Sequence, residues 1–249
     1  MINVDRVYQK VLATANKEQR GYITPQEFNL FAAQAQMEIF EQYFYDINQF
    51  NRVPGNSHAY ADMLEILEQK INHFKVYNAD ASHVAGVVAY NNEEIYRLGE
   101  VRVEYQSQNS RVEVVAEKIK AEEYSLYSNS PLARENFKRP IYWQITDPAS
   151  SGSVRIALFP RPFPEDNIHL SYVRKPKDPN WTYMVSAPPN QTALYNPSAN
   201  DHQNFELEPS EESELVNKIL TYAGVALQKQ DVVQIAAGRE AVKVQQEKS

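Results

Sequence analysis

Residues 25–50, PQEFNLFAAQAQMEIFEQYFYDINQF, set the frame for the rest of the chain. Phe28, Phe31, Ala32, Ala35, Ile39, Phe40, Tyr43, Phe44 and Ile47 recur every three or four positions, so one side of a helix becomes continuously apolar. At 1.5 Å per residue this predicts a helix roughly 39 Å long. Arg52-Val53-Pro54-Gly55-Asn56 ends it. A shorter helix precedes it at residues 4–15, with Val4, Val7, Tyr8, Val11 and Leu12 on one face. Another follows at residues 59–69, carrying Tyr60, Met63, Leu64 and Leu67.

The pattern then changes. Residues 83–90 (HVAGVVAY), 95–105 (IYRLGEVRVEY), 112–115, 154–159 (VRIALF) and 168–173 (IHLSYV) alternate or run apolar with β-branched and aromatic residues, which predicts strands. Residues 117–127 read as a short helix between them. Of the chain's 14 prolines, 12 lie in residues 131–209, so that stretch must be short strands joined by extended segments. Residues 175–187 and 193–204 read as arms or long loops. Helical periodicity returns with Leu215, Val216, Ile219, Leu220, Ala223, Ala226 and Leu227, with Ser210 as the expected cap and Glu211 and Glu212 in the first turn. A second start signal at Asp231, with Gln234 three residues on, opens a thin stripe of Val232, Ile235, Ala236 and Val242. The fold class expected is α+β. Residues 1–75 and 205–249 form a helical bundle domain, and residues 76–204 form a β-rich, Pro-rich insertion with extended arms.

Bulk properties narrow the function. The 249 residues are 43% hydrophobic and 23% charged, with mean hydropathy −0.57. No apolar run reaches the roughly 18 residues of a membrane span. Residues 1–6 lack the basic and apolar regions of a signal peptide, and there is no cysteine, so assembly in a reducing cytoplasm is expected. The net charge of −7 gives no basic footprint of the kind that grips nucleic acid, although an acidic chain can surround DNA without holding it.

No catalytic equipment is legible. Residues 16–27 (NKEQRGYITPQE) sit in EF-hand register, with Gly21 at the sixth place and Glu27 at the twelfth. Asn16 and the cation Arg20 occupy ligand positions. Helix capping explains the segment instead: Gly21 ends one helix, Thr24 caps the next, Pro25 takes its first turn and Glu27 completes a capping box. The histidines His58, His73, His83, His169 and His202 are dispersed, so no zinc site is read, and His169 is expected on a surface or barrel rim. Seven glycines build no phosphate-binding loop. Glu93/Glu94, Glu122/Glu123 and Glu211/Glu212 are sequence neighbours, which point apart and serve solvated faces and helix caps rather than acid–base pairs. No metal, cofactor or catalytic residue is therefore assigned, and the chain is not read as an enzyme. Trp181, Tyr183 and Met184, in the proline-flanked arm, are residue types that interfaces favour. Their two readings are anchoring on a neighbouring subunit and packing on the chain's own β region. Val232, Ile235 and Val242 are read as a second interface stripe.

Several segments resemble structural proteins of tailed bacteriophages, of the crAss-like and marine podophage type. They are INVDRVYQKVL (residues 2–12), NKEQRGYITPQEFN (16–29), IHLSYVRKP (168–176) with Trp181, and FELE (205–208) leading into residues 215–231. The resemblance implies a head-to-tail connector, an adaptor ring stacked below the portal protein. Such a subunit forms a homo-oligomeric ring, a dodecamer in that family. Its partners are the portal and the next tail or ring protein, with DNA passing through the lumen without specific binding and no membrane involved. Its place is the virion, after assembly in the host cytoplasm. The alternatives are another tail-ring or head-associated structural or cargo protein, or a non-enzymatic peptide- or glycan-binding module.

Overall fold

The computed structural model describes residues 1–17, 23–52, 58–84, 86–89, 95–107, 110–146, 154–164, 166–186 and 193–226. The chain is mixed α+β and divides into two compact units. One is Met1–Lys70 with Pro176–Ser249, and the other is Ile71–Lys175. The arms at residues 176–204, expected in the insertion, group with the helices.

In the helical unit the helices are α1 (Val4–Lys17), α2 (Pro25–Arg52), α3 (His58–Asn72) and α5 (Glu212–Ala226). The periodic residues form its core: Val4, Val7, Tyr8 and Val11 of α1, Phe28, Ala32, Ala35, Ile39, Phe40 and Tyr43 of α2, and Leu215, Ile219, Leu220 and Ala223 of α5 are all buried. Asn3 caps α1, its Oδ1 accepting from the Asp5 and Arg6 amides at 2.9 and 3.1 Å. At α2 the Thr24 amide donates to Glu27 Oε2 (2.9 Å) and the Glu27 amide to Thr24 Oγ1 (3.3 Å), the capping box read from the sequence. The Thr24 amide and the Thr24 hydroxyl (2.8 Å), both donating to Oε2, hold the Glu27 carboxyl below its ordinary value. Because that carboxylate is committed to the cap, calorimetric titration with calcium is expected to show no binding tighter than about 10⁻³ M, the weak end of EF-loop affinities.

The start of α5 differs from expectation. Ser210 is not its cap. A 3-10 turn, Pro209–Glu211, precedes the helix with Glu208 at the N-cap position, because Pro209 is pre-set for a first helical residue and cannot donate. Nor are Glu211 and Glu212 merely solvated. Buried Glu211 pairs with Lys70, and Glu212 takes Arg6 at 3.0 Å and Lys10 at 2.5 Å.

The other unit is a two-layer β structure. Its strands are β1 (Lys75–Ala81), β2 (His83–Val84), β3 (Val87–Ala89), β4 (Ile95–Ser107), β5 (Ser110–Val115), β6 (Glu117–Lys118), β7 (Ile141–Thr146), β8 (Val154–Phe159) and β9 (Asn167–Arg174). One sheet has the order β1-β9-β4-β5 and the other β2-β3-β8-β7-β6, with β6–β7 the parallel pair. Alternate residues of the two sheets (Val88, Val101, Val103, Tyr105, Tyr142, Ile156, Leu158, Ile168 and Leu170) make one buried cluster. The outward positions of the first sheet are charged: Arg102 bridges to Glu100 (2.9 Å) and Glu113 (3.4 Å), and His169 Nδ1 lies 2.9 Å from Asp80. Residues 117–127, expected as a helix, split into β6, a 3-10 turn and α4 (Tyr124–Asn129). Two glycines are sterically required. Gly86 has φ +81 at the turn between β2 and β3, and a Cβ on Gly99 would lie 2.9 Å from the Ser171 carbonyl of β9.

Candidate interaction surface

The interface residues inferred from the sequence separate sharply. Trp181 leads into a hairpin of β10 (Tyr183–Val185) and β11 (Ala193–Tyr195), antiparallel with Tyr183 opposite Tyr195 and Met184 opposite Leu194. The arms are thus one hairpin, closed at its base by the Asn180↔Gln203 bridge. Trp181 is only 4% exposed. Its indole Nε1 donates to Asp5 Oδ1 (2.9 Å) and its amide to Asn29 Oδ1 (2.9 Å), while Asn29 Nδ2 donates back to Asn180 Oδ1 (2.7 Å). Tyr8 lies against the indole at 4.5 Å, and Tyr183 and Tyr195 stack on it at 5.8 Å each. The neighbour-anchoring reading of Trp181 is therefore corrected. A large indole with a satisfied N–H is a core group of its own unit.

The ends of the stretch 176–206, at Lys177 and at Asn204, Phe205 and Glu206, are fastened the same way. Buried Gln36 of α2 donates from Nε2 to the Lys177 carbonyl (2.8 Å) and accepts at Oε1 from the Glu206 amide (3.0 Å). Glu206 in turn accepts from the Lys177 amide at 2.9 Å. Ile2 pairs with Phe205, and the Val4 amide donates to Asn204 Oδ1 at 3.0 Å.

With one face of the hairpin turned onto Trp181, strand alternation turns the other face outward. Met184 is 57% exposed and Leu194 54%, directly opposite each other; Val185, also exposed, lies on the Tyr183 side of the strand. Tyr183 and Met184 thus keep surface that Trp181 lacks. Leu194 and Val185 were not singled out from the sequence, although the alternation Ala193-Leu194-Tyr195 carries the signal. Val232, Ile235 and Val242 lie outside the described residues.

A second feature of this unit is electrostatic. Lys218 of α5, itself buried, reaches Glu38 of α2 at 2.9 Å, and the Tyr222 hydroxyl donates to the same carboxylate. Burial pushes the Glu38 carboxyl up, but these two donors outweigh it and hold it below its ordinary value. A lowered acid contributes stability that is present above 4.5, its ordinary value, and is lost as pH falls through the folded value. Glu38→Gln should therefore destabilise the protein at pH 7, and its deficit relative to wild type should close as pH drops below about 4. Urea midpoints measured across that range test this.

Among the described residues, no group of three His, Cys, Asp or Glu side chains is placed to hold a metal, and no helix is long and apolar enough to cross a membrane. No protein-family model matches the sequence, and no characterised protein is similar to it at a significant level.

Proposed function

We propose that the chain is a virion structural protein, a head–tail connector subunit that assembles as a ring below the portal and forms part of the DNA conduit. In this reading the helical unit builds the ring wall, and the β unit projects as an insertion. The role is non-enzymatic. Its partners are further copies of itself in a dodecamer, the portal protein and the next tail component, with DNA passing through the lumen.

The observation that carries the proposal is the outward face of the β10–β11 hairpin. An isolated two-stranded hairpin is marginal in water, yet the face of this one that carries Tyr183 and Tyr195 rests on Trp181, and its other face presents Met184 and Leu194 to solvent. A pre-ordered apolar ridge loses little conformational entropy on docking, and a head-to-tail contact of this kind propagates into a closed ring. The net charge of −7 supports a conduit that does not retain DNA.

The test is the double variant Met184→Asp with Leu194→Asp. Both positions are exposed, so even with two aspartates directly opposite each other the monomer's unfolding free energy should fall by no more than about 1 kcal/mol. Sedimentation should show loss of the assembled species, since two buried interfacial charges without partners cost several kcal/mol. Assembly at wild-type concentration would remove the hairpin from the interface.

A further inference from the structure

The β unit leaves one regular sheet edge open. Strand β5 pairs with β4 from Ser107↔Ser110 to Arg102↔Val115 without a register shift, and no strand pairs with its other side among the described residues. The remaining edges of the two sheets are blunted. Strands β2 and β6 have two residues each, and β1 carries a register shift between Val76 and Ala79, with Asn78 at φ +53. Strand β5 has neither proline nor bulge, and its Arg111, Val112, Glu113 and Val115 are all exposed.

The phase of the ladder says which main-chain groups are free. The Ala116 amide donates to the Val101 carbonyl at 2.8 Å, so the residues that exchange bonds with β4 are the even ones, Val112 and Val114. Arg111, Glu113 and Val115 therefore turn their N–H and C=O groups to the open edge. Side chains alternate as well. Val112 lies on the core face, opposite buried Tyr105, yet stays 49% exposed, while Arg111 and Glu113 share the outer face. On that face Glu113 stands directly opposite Glu104, like charge against like, with Arg102 on the diagonal 3.4 Å away. A cation arriving on the open side would complete the neutralisation of Glu113.

We infer that β5 pairs antiparallel with β5 of a second copy, about a two-fold axis at Val112. Free main-chain groups meet only when odd residues face odd residues, which puts the axis at a residue rather than between two. An axis at Arg111 sets guanidinium against guanidinium, and one at Glu113 sets carboxylate against carboxylate. With the axis at Val112, each Arg111 stands opposite the other copy's Glu113, in two main-chain-bonded pairs. The two Val112 residues then form a non-bonded pair, in which Cα atoms approach to about 4.5 Å and each valine covers the other's exposed side. The run Arg111-Val112-Glu113 is thus its own complement about its centre, as an isologous contact requires. A pairing this short buries little area, so the dimer is weak, with a dissociation constant on the order of 10⁻⁴ M. It is independent of the connector proposal.

Sedimentation equilibrium of the full-length Met184→Asp, Leu194→Asp chain measures this contact apart from that of the hairpin. The expected result is a monomer–dimer equilibrium near that constant. Adding Arg111→Glu should weaken it about tenfold or more at unchanged far-UV spectrum, because both cross-strand pairs become repulsive. Combining Arg111→Glu with Glu113→Arg should restore it to within about threefold, since the exchange keeps the register and inverts each pair. Hydrogen exchange on the chain with β5 unaltered gives a second reading. The Arg111 and Glu113 amides should gain protection as concentration rises towards about 10⁻³ M, with the Val112 amide, already bonded to β4, unchanged. A chain that stays monomeric up to about 10⁻³ M, a dimer indifferent to Arg111→Glu, or one that the double exchange leaves dissociated would overturn the inference. So would Arg111 and Glu113 amides whose exchange does not depend on concentration.

Discussion

Replacing Trp181 with alanine is expected to unfold the helical unit's base rather than to weaken an interface. The substitution removes a buried indole lying against Tyr8 and stacked with Tyr183 and Tyr195, and it strips the Nε1 donor from Asp5. Large aromatic truncations of this kind cost about 3–5 kcal/mol, which corresponds to a fall in thermal midpoint on the order of 10 °C. The hairpin should go with it, because Tyr183 and Tyr195 have the indole as their packing surface. Trp181→Phe keeps a ring but not the N–H, so it should cost about 1–3 kcal/mol. Differential scanning calorimetry decides the matter. A midpoint for Trp181→Ala within a degree of wild type would mean that Trp181 is not a core residue.

Gln36→Leu is the second large effect. The leucine fits the same buried stripe and adds apolar surface, so a purely hydrophobic account predicts stabilisation. The opposite is expected, because Gln36 joins the Lys177 carbonyl and the Glu206 amide to α2. Removing these bonds from the buried Glu206 amide and the part-buried Lys177 carbonyl costs about 2–4 kcal/mol. The urea midpoint should drop at unchanged m-value. Gln36→Glu, which keeps the acceptor for the Glu206 amide but loses the donor and adds a charge beside Glu206, should be no better than leucine. A leucine variant as stable as wild type would show that the strap from Lys177 to Glu206 is held by other contacts.

What the sequence disclosed follows the range of the interactions involved. The α2 stripe was legible because its periodicity is local and one face is plainly buried, and the β8 strand at Val154–Phe159 because its residues from Ile156 to Leu158 run apolar and are all buried. The Thr24–Glu27 capping box was legible for the same reason. Strand β1 was not, since KVYNADA is polar and carries a register shift with Asn78 at positive φ. Strand β7, IYWQIT, buries residues on both faces and so lacks alternation. The depth of Trp181 was hidden because Asp5 and Asn29 lie more than 150 positions away in sequence. The two three-residue strands that follow it, each with prolines nearby, look like arms until they pair. Glu211 stands in a first helical turn as read, but its burial was hidden for a similar reason, its partner Lys70 lying far upstream.

The account turns on self-assembly through the outward face of the β10–β11 hairpin. Native mass spectrometry of the full 28.6 kDa chain measures this directly. The proposal predicts a discrete, closed species, twelve-fold in the connector reading, that disappears in the Met184→Asp, Leu194→Asp variant while the monomer persists. A chain that remains a single 28.6 kDa species across the micromolar range, with and without those substitutions, would contradict it.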